Sequence, residues 1–182
     1  KRGVDLVCFS GDKIFGGPQA GMIAGKAELI AGLKKEPFFR ALRCDKLILT
    51  LLECTAQAYL DARATSSIPS LPLLDMLQLT VDSLRERGEA MGKELAGLPV
   101  DWSLGESTAQ VGGGTMPKSA IPSVTLDLKA HGLKAPVLAK RLRRQALPLM
   151  GYIAEDLFRL DLRTVFPRQD AQVVNAITLA LS

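Results

Sequence analysis

The chain has 182 residues, 47% of them hydrophobic and 23% charged, which suits one globular domain or two small lobes. A net charge of +4 fits an anionic substrate or an RNA partner without demonstrating either, and 5% aromatic residues is poor material for a base-stacking nucleic-acid platform. Three cysteines with no C-x-x-C spacing, and the single histidine His131, exclude the usual zinc patterns and a disulfide scaffold and fit a reducing cytoplasm.

No apolar run approaches the ~20 residues of a membrane span, and no secretory signal opens the chain. Lys1-Arg2-Gly3 leads straight into a strand, which reads as a cut through a larger protein.

Residues 4–9 (VDLVCF) are almost continuously apolar, the pattern of a strand buried on both faces. Residues 20–24 form a second strand. Gly11, Gly16, Gly17, Pro18 and Gly21 lie between them and make a tight, approachable connection. Residues 26–35 are helical, with Leu29, Ile30 and Leu33 on one stripe. Pro37 interrupts, and 38–43 is loop or a first helical turn. Asp45 caps a long helix to about Arg63.

Residues 64–72 (ATSSIPSLP) are a connector. Helix returns from 73 to about 98 and is ended by Gly97 and Pro99. Strands follow at 100–104 and 123–128, then a helix at 135–145 with Pro136 in its first turn. Residues 147–153 and 156–161 read as a β-pair, with Arg163 directly after it and a closing helix at 170–181. The basic run Lys140, Arg141, Arg143 and Arg144 reads as a solvated helix face. The organisation is two lobes: 1–65, the end of a larger mixed-sheet domain, and 66–182, a small α/β sandwich.

Ser10-Gly11-Asp12-Lys13 forms a tight turn after the first strand. A phosphate loop of the G-x-x-x-x-G-K-[ST] kind is excluded, because the lysine precedes the glycine pair and no Ser or Thr follows it. Two readings of these four residues stay open. Lys13 is a solvated turn lysine, or it is a Schiff-base lysine made nucleophilic by a partly desolvated pocket, with Ser10 and nearby glycine N–H groups holding a cofactor phosphate.

The blocks Ser10-Gly11-Asp12-Lys13, Gly16-Gly17-Pro18-Gln19-Ala20-Gly21 and Gly25-Lys26 resemble the lysine region of the bacterial selenocysteine synthases, the L-seryl-tRNA(Sec) selenium transferases. The likeness continues through Arg40-Ala41-Leu42-Arg43 and Asp45-Lys46. It extends over Ile68-Pro69, Met76-Leu77, Gly112-Gly113-Gly114 with Pro117, Pro148-Leu149-Met150-Gly151 and Leu160-Asp161-Leu162-Arg163.

The resemblance implies an α/β fold: the end of a fold-type I pyridoxal 5'-phosphate (PLP) transferase large domain (1–65), then a small C-terminal α/β sandwich domain (66–182). It implies that Lys13 bears the cofactor, with Asp12 beside it in the active site and Ser10 and Gly17 near PLP. Arg40 and Arg43 would bind selenophosphate; guanidinium forks three residues apart suit a tetrahedral oxyanion. Arg163 would meet a substrate carboxylate or make a structural ion pair. Tyr152 stands where the family pattern has arginine.

The implied reaction is β-replacement on seryl-tRNA(Sec) by selenophosphate, giving selenocysteinyl-tRNA(Sec), in a cytoplasmic homo-oligomer built from dimers. Residues 1–182 alone are then expected to bind PLP weakly and not to turn over. Two other readings remain: a related PLP lyase acting on a small phosphorylated amino sugar or amino acid, and a non-catalytic interaction fragment.

Overall fold

The computed structural model describes residues 3–111 and 120–182. Gly112, Gly113, Gly114 and Pro117 lie outside the described residues. The protein is mixed α/β with two small antiparallel sheets, in two compact units that divide between Asp75 and Met76. The division expected at 65/66 falls earlier, at the end of the long helix.

In the first unit, β1 (Leu6–Ser10) pairs with β2 (Gly21–Gly25), in register from Leu6 opposite Gly25 to Ser10 opposite Gly21. Helices α1 (Ala27–Lys35), α2 (Pro37–Leu42) and α3 (Lys46–Ala64) follow. Glu36 is extended between α1 and α2, and Pro37 opens α2, where its missing N–H costs nothing. The stretch left as loop or helical turn is therefore a short helix. Asp45 caps α3 as expected, accepting from the Ile48 N–H at 2.9 Å.

The expectation of a first strand buried on both faces is corrected. The strand forms, but Val7 is 51% and Phe9 43% exposed. Helix α3 likewise exposes Leu47, Leu49, Leu51 and Leu60, and buries only Thr55 and Ala62. Leucine on opposite sides of one helix is the pattern of a helix covered all round.

In the second unit, β3 (Val100–Ala109), β4 (Ile121–Ala130), β5 (Tyr152–Ala154) and β6 (Leu157–Asp161) form one antiparallel sheet, in the order β3-β4-β6-β5. Helices α5 (Val81–Glu94) and α6 (Ala135–Arg143) pack on it, and α7 (Asp170–Leu181) packs against α5 and α6. Period-2 alternation sends Val124, Leu126, Leu128, Phe158 and Leu160 into the core with Leu84, Met91, Leu138, Leu142 and Ile177. Each such burial contributes about 1.5–3 kcal/mol.

Gly92 lets α5 lie directly against β3, because a Cβ there would fall into the Trp102 ring. The opposite face of the sheet is polar. Asp161 accepts from Ser123 Oγ (2.6 Å), Ser107 Oγ (2.9 Å) and the Arg163 N–H (3.0 Å).

Two further corrections concern elements. The helix expected over 73–98 is broken into α4 (Pro72–Gln78) and α5, because Thr80 is extended and its Oγ1 accepts from the Ser83 N–H at 3.1 Å. Strand pairing begins only at Tyr152, not at 147. Gly151 packs so closely on the Arg159 carbonyl and the Phe158 ring that a side chain there would collide.

Candidate functional site

Lys13 sits in the connection between β1 and β2. The connection closes on itself through three backbone bonds of 2.8 Å: Gly11 N–H to Ala20 O, Gly17 N–H to Gly11 O, and Gly16 N–H to Lys13 O. Gly16 has φ +75°, which favours glycine. A Cβ at Gly11 would come within 2.6 Å of Pro18 O, so the turn also needs the second glycine for close approach.

Helix α3 pins this turn from behind. The Tyr59 hydroxyl donates to Phe15 O at 3.1 Å, and the two rings stack at 5.2 Å between centroids. Phe9 packs edge-on against Phe15 at 6.3 Å. Phe15 and Tyr59 were missed from sequence. The available signal was an aromatic two residues after the lysine, matched by one on the helix that follows.

Lys13 Nζ donates to Asp12 Oδ2 at 2.7 Å, with the two side chains 46% and 30% exposed. That hydrogen-bonded ammonium holds the Asp12 carboxyl below the usual carboxylate range, against a smaller opposing effect of desolvation. The desolvated pocket expected around Lys13 is absent among the described residues; the amine is reachable from solvent. Ser10 ends β1, exposed, and its hydroxyl has no hydrogen bond among the described residues. Gly17 is half-buried in the same turn. A reachable primary amine and an unpartnered hydroxyl on one pinned turn fit a cofactor that condenses with an amine and carries an anionic group.

Arg40 and Arg43 come together. They line one open basin of about 470 Å³ with Lys34, Lys35, Glu36, Pro37 and Phe39. The break at Glu36 lets the C-terminal lysines of α1 share this basin with Arg40 of α2 and with Arg43, the C-cap of α2. None of the four cations has an ion pair among the described residues, and cationic groups without an internal partner suit an anion. Lys34 and Lys35 are additions to the sequence reading. Lys13 is not among the residues lining this basin.

Arg163 is 4% exposed in the second unit. It donates to Met76 O (2.9 Å), Leu79 O (2.8 Å) and Pro122 O (2.6 Å). Its partners are carbonyls; Asp161 meets only its backbone N–H. Tyr152 is exposed and faces Arg159 across the β5–β6 ladder. His131 lies at the surface against Asp101, at 3.0 Å. No group of metal-ligating side chains occurs among the described residues, Cys8, Cys44 and Cys54 are unpaired, and no helix is long and apolar enough to cross a membrane.

Comparison with known proteins agrees with the resemblance. The family described as L-seryl-tRNA selenium transferase matches residues 1–166. The L-seryl-tRNA(Sec) selenium transferase of Carboxydothermus hydrogenoformans is 41% identical over 169 residues, covering 92% of this chain and 36% of the relative. That of Caldanaerobacter subterraneus subsp. tengcongensis is 37% identical over 97% of this chain and 38% of its own length. That of Moorella thermoacetica is 39% identical over 99% and 38%. The chain therefore spans little more than a third of the length of these relatives. On the extent of the family match, the chain belongs to the L-seryl-tRNA selenium transferase family.

Proposed function

We propose that this chain is the part of a PLP-dependent selenium transferase that contributes the cofactor lysine and the selenium-donor site. The reaction is conversion of seryl-tRNA(Sec) to selenocysteinyl-tRNA(Sec) by β-replacement with selenophosphate. The observation that carries the reading is the convergence of Arg40 and Arg43 on one cationic basin in a chain of this family. In this reading residues 1–65 are the end of a fold-type I large domain and 66–182 the small domain.

The residues divide the work as follows. PLP, when bound, supplies an electron sink for the charge left when the serine Cα loses its proton. Lys13 would hold PLP through its amine, with Ser10 and the Gly17 backbone facing the phosphate. Released from the cofactor, the Lys13 amine is the base that takes the Cα proton. Asp12 orients that amine through the 2.7 Å bond. Arg40 and Arg43 would grip the selenophosphate oxygens, with Lys34 and Lys35 adding charge. Arg163 acts as a structural tie.

The exposed leucines of α3 support a homo-oligomer built from dimers. A reaction on aminoacyl-tRNA fits a cytoplasmic protein. The test is to supply the protein that carries this chain with PLP, seryl-tRNA(Sec) and selenophosphate. Selenocysteinyl-tRNA forms, and borohydride fixes PLP on a peptide containing Lys13. Adduct on another lysine, or selenium transfer unaffected by Lys13→Ala, would sink the reading.

A further inference from the structure

Between Asp127 and Glu155 the sequence carries six basic residues and no acidic one. Five of them, Lys134, Lys140, Arg141, Arg143 and Arg144, lie on or at the ends of α6. The helix turns Ala135, Leu138, Ala139 and Leu142 into the core, so its basic residues stand on the outer side and flanks, all exposed.

Arg141 is committed, donating to Ala180 O at 2.9 Å. Lys134, Lys140, Arg143 and Arg144 make no ion pair and no side-chain hydrogen bond among the described residues. Attraction to the negative C-terminal end of the helix accounts for cations in the last turn. It does not account for Lys134, which is the N-cap, where a cation opposes the helix dipole. Lys140 and Arg144 are also four residues apart, a like-charge spacing that costs helix stability. A face with this arrangement gains when polyanion charge lies along it.

We propose that the outer face of α6 is a docking surface for the phosphate backbone of RNA, made by Lys134, Lys140, Arg143 and Arg144. From Lys134 to Arg144 it spans about 15 Å at helical rise, long enough to meet several phosphates. No aromatic side chain lies on α6, so the contact reads charge and not base identity. The choice of RNA over another polyanion rests on the tRNA substrate of the proposed function.

The experiment measures binding of a fluorescently labelled tRNA(Sec) transcript to the 182-residue chain as salt is varied. It compares the wild type, the quadruple variant K134Q/K140Q/R143Q/R144Q, and a control, R63Q/R85Q/K93Q/R168Q, with the same charge change elsewhere. The expected result is at least a tenfold loss of affinity for the α6 variant at low salt. Its log K against log salt slope becomes shallower by about 3, and the control changes less on both counts.

Equal weakening by the control would overturn the proposal, since net charge alone would then explain binding. So would undiminished binding by the α6 variant, or patch-dependent binding to phosphatidylserine vesicles without binding to the transcript. Selenium transfer is scored separately, in the protein that carries this chain, since residues 1–182 alone are not expected to turn over. Patch-dependent tRNA binding without transfer would keep the surface and remove the proposed reaction; transfer with no patch dependence would do the reverse.

Discussion

Tyr59 holds the Phe15 carbonyl at 3.1 Å and stacks on the Phe15 ring, and this pair ties the Lys13 turn to α3. Tyr59→Phe removes the hydrogen bond and keeps the stack, a loss of about 0.5–1.5 kcal/mol. Tyr59→Ala removes both. The yield of borohydride-fixed PLP on Lys13, read by peptide mass spectrometry, falls in the order wild type, Tyr59→Phe, Tyr59→Ala. An unchanged yield in Tyr59→Ala would show that the turn holds its shape without α3.

Asp12 and Lys13 define an acid limit. The Asp12 pKa lies below its ordinary 3.8 because of the bond from Lys13. A lowered folded-state pKa contributes stability that is present above the unfolded value and lost as pH falls through the folded one. The pair therefore stays intact at pH 5–8 and breaks only below pH 3.8. Carboxyl NMR of Asp12 gives a midpoint below 3.8, and Lys13→Ala moves it upward.

Arg40→Ala and Arg43→Ala each remove one fork from the basin and leave Lys34 and Lys35 in place. Each variant weakens the apparent affinity for selenophosphate by about tenfold, with seryl-tRNA affinity unchanged. Arg→Lys at either position recovers only part of the loss, because an ammonium lacks the planar fork. Full recovery by lysine would mean that charge alone matters.

Arg87 clamps the second unit. Its Nε and Nη2 donate to Asp170 at 3.0 and 2.6 Å, and Nη2 also reaches Val165 O at 3.0 Å. The side chains are 14% and 26% exposed, so screening is limited. Arg87→Ala costs about 2–3 kcal/mol in urea unfolding, and Arg87→Lys about half of that.

Gly92→Ala places a methyl in the Trp102 ring and forces α5 away from β3. The cost is about 1–3 kcal/mol, with a change in tryptophan fluorescence. Gly97→Ala makes a useful contrast: no atom approaches its Cβ position, but φ is +86°, so the cost is purely conformational.

Much of this was legible in the sequence. The closing helix at 170–181, the Asp45 cap and the strand about 123–128 follow from local patterning, and the structure reproduces them. The Thr80 break was not read, because a hydrophobic stripe continues across it and only the cap chemistry of one threonine interrupts the helix. Burial of β1 was misjudged for a different reason. Apolar sequence reports what a segment would gain from cover, and the residues of its own unit do not supply that cover to Val7 or Phe9. The basin was half legible. Arg40 on α2 and Arg43 at its C-cap are three apart in sequence, whereas Lys34 and Lys35 join them only through the bend at Glu36.

The three carbonyl bonds of Arg163 join the corner between α4 and α5 to the start of β4. That corner cannot swing out without stripping a buried guanidinium of its partners. Opening there is thus tied to opening of the sheet, and the backbone amides of 76–80 and 123–126 are expected to exchange with deuterium as one cooperative block. Lysine at 163 would keep the charge and uncouple the two, letting the corner fray while the sheet stays closed.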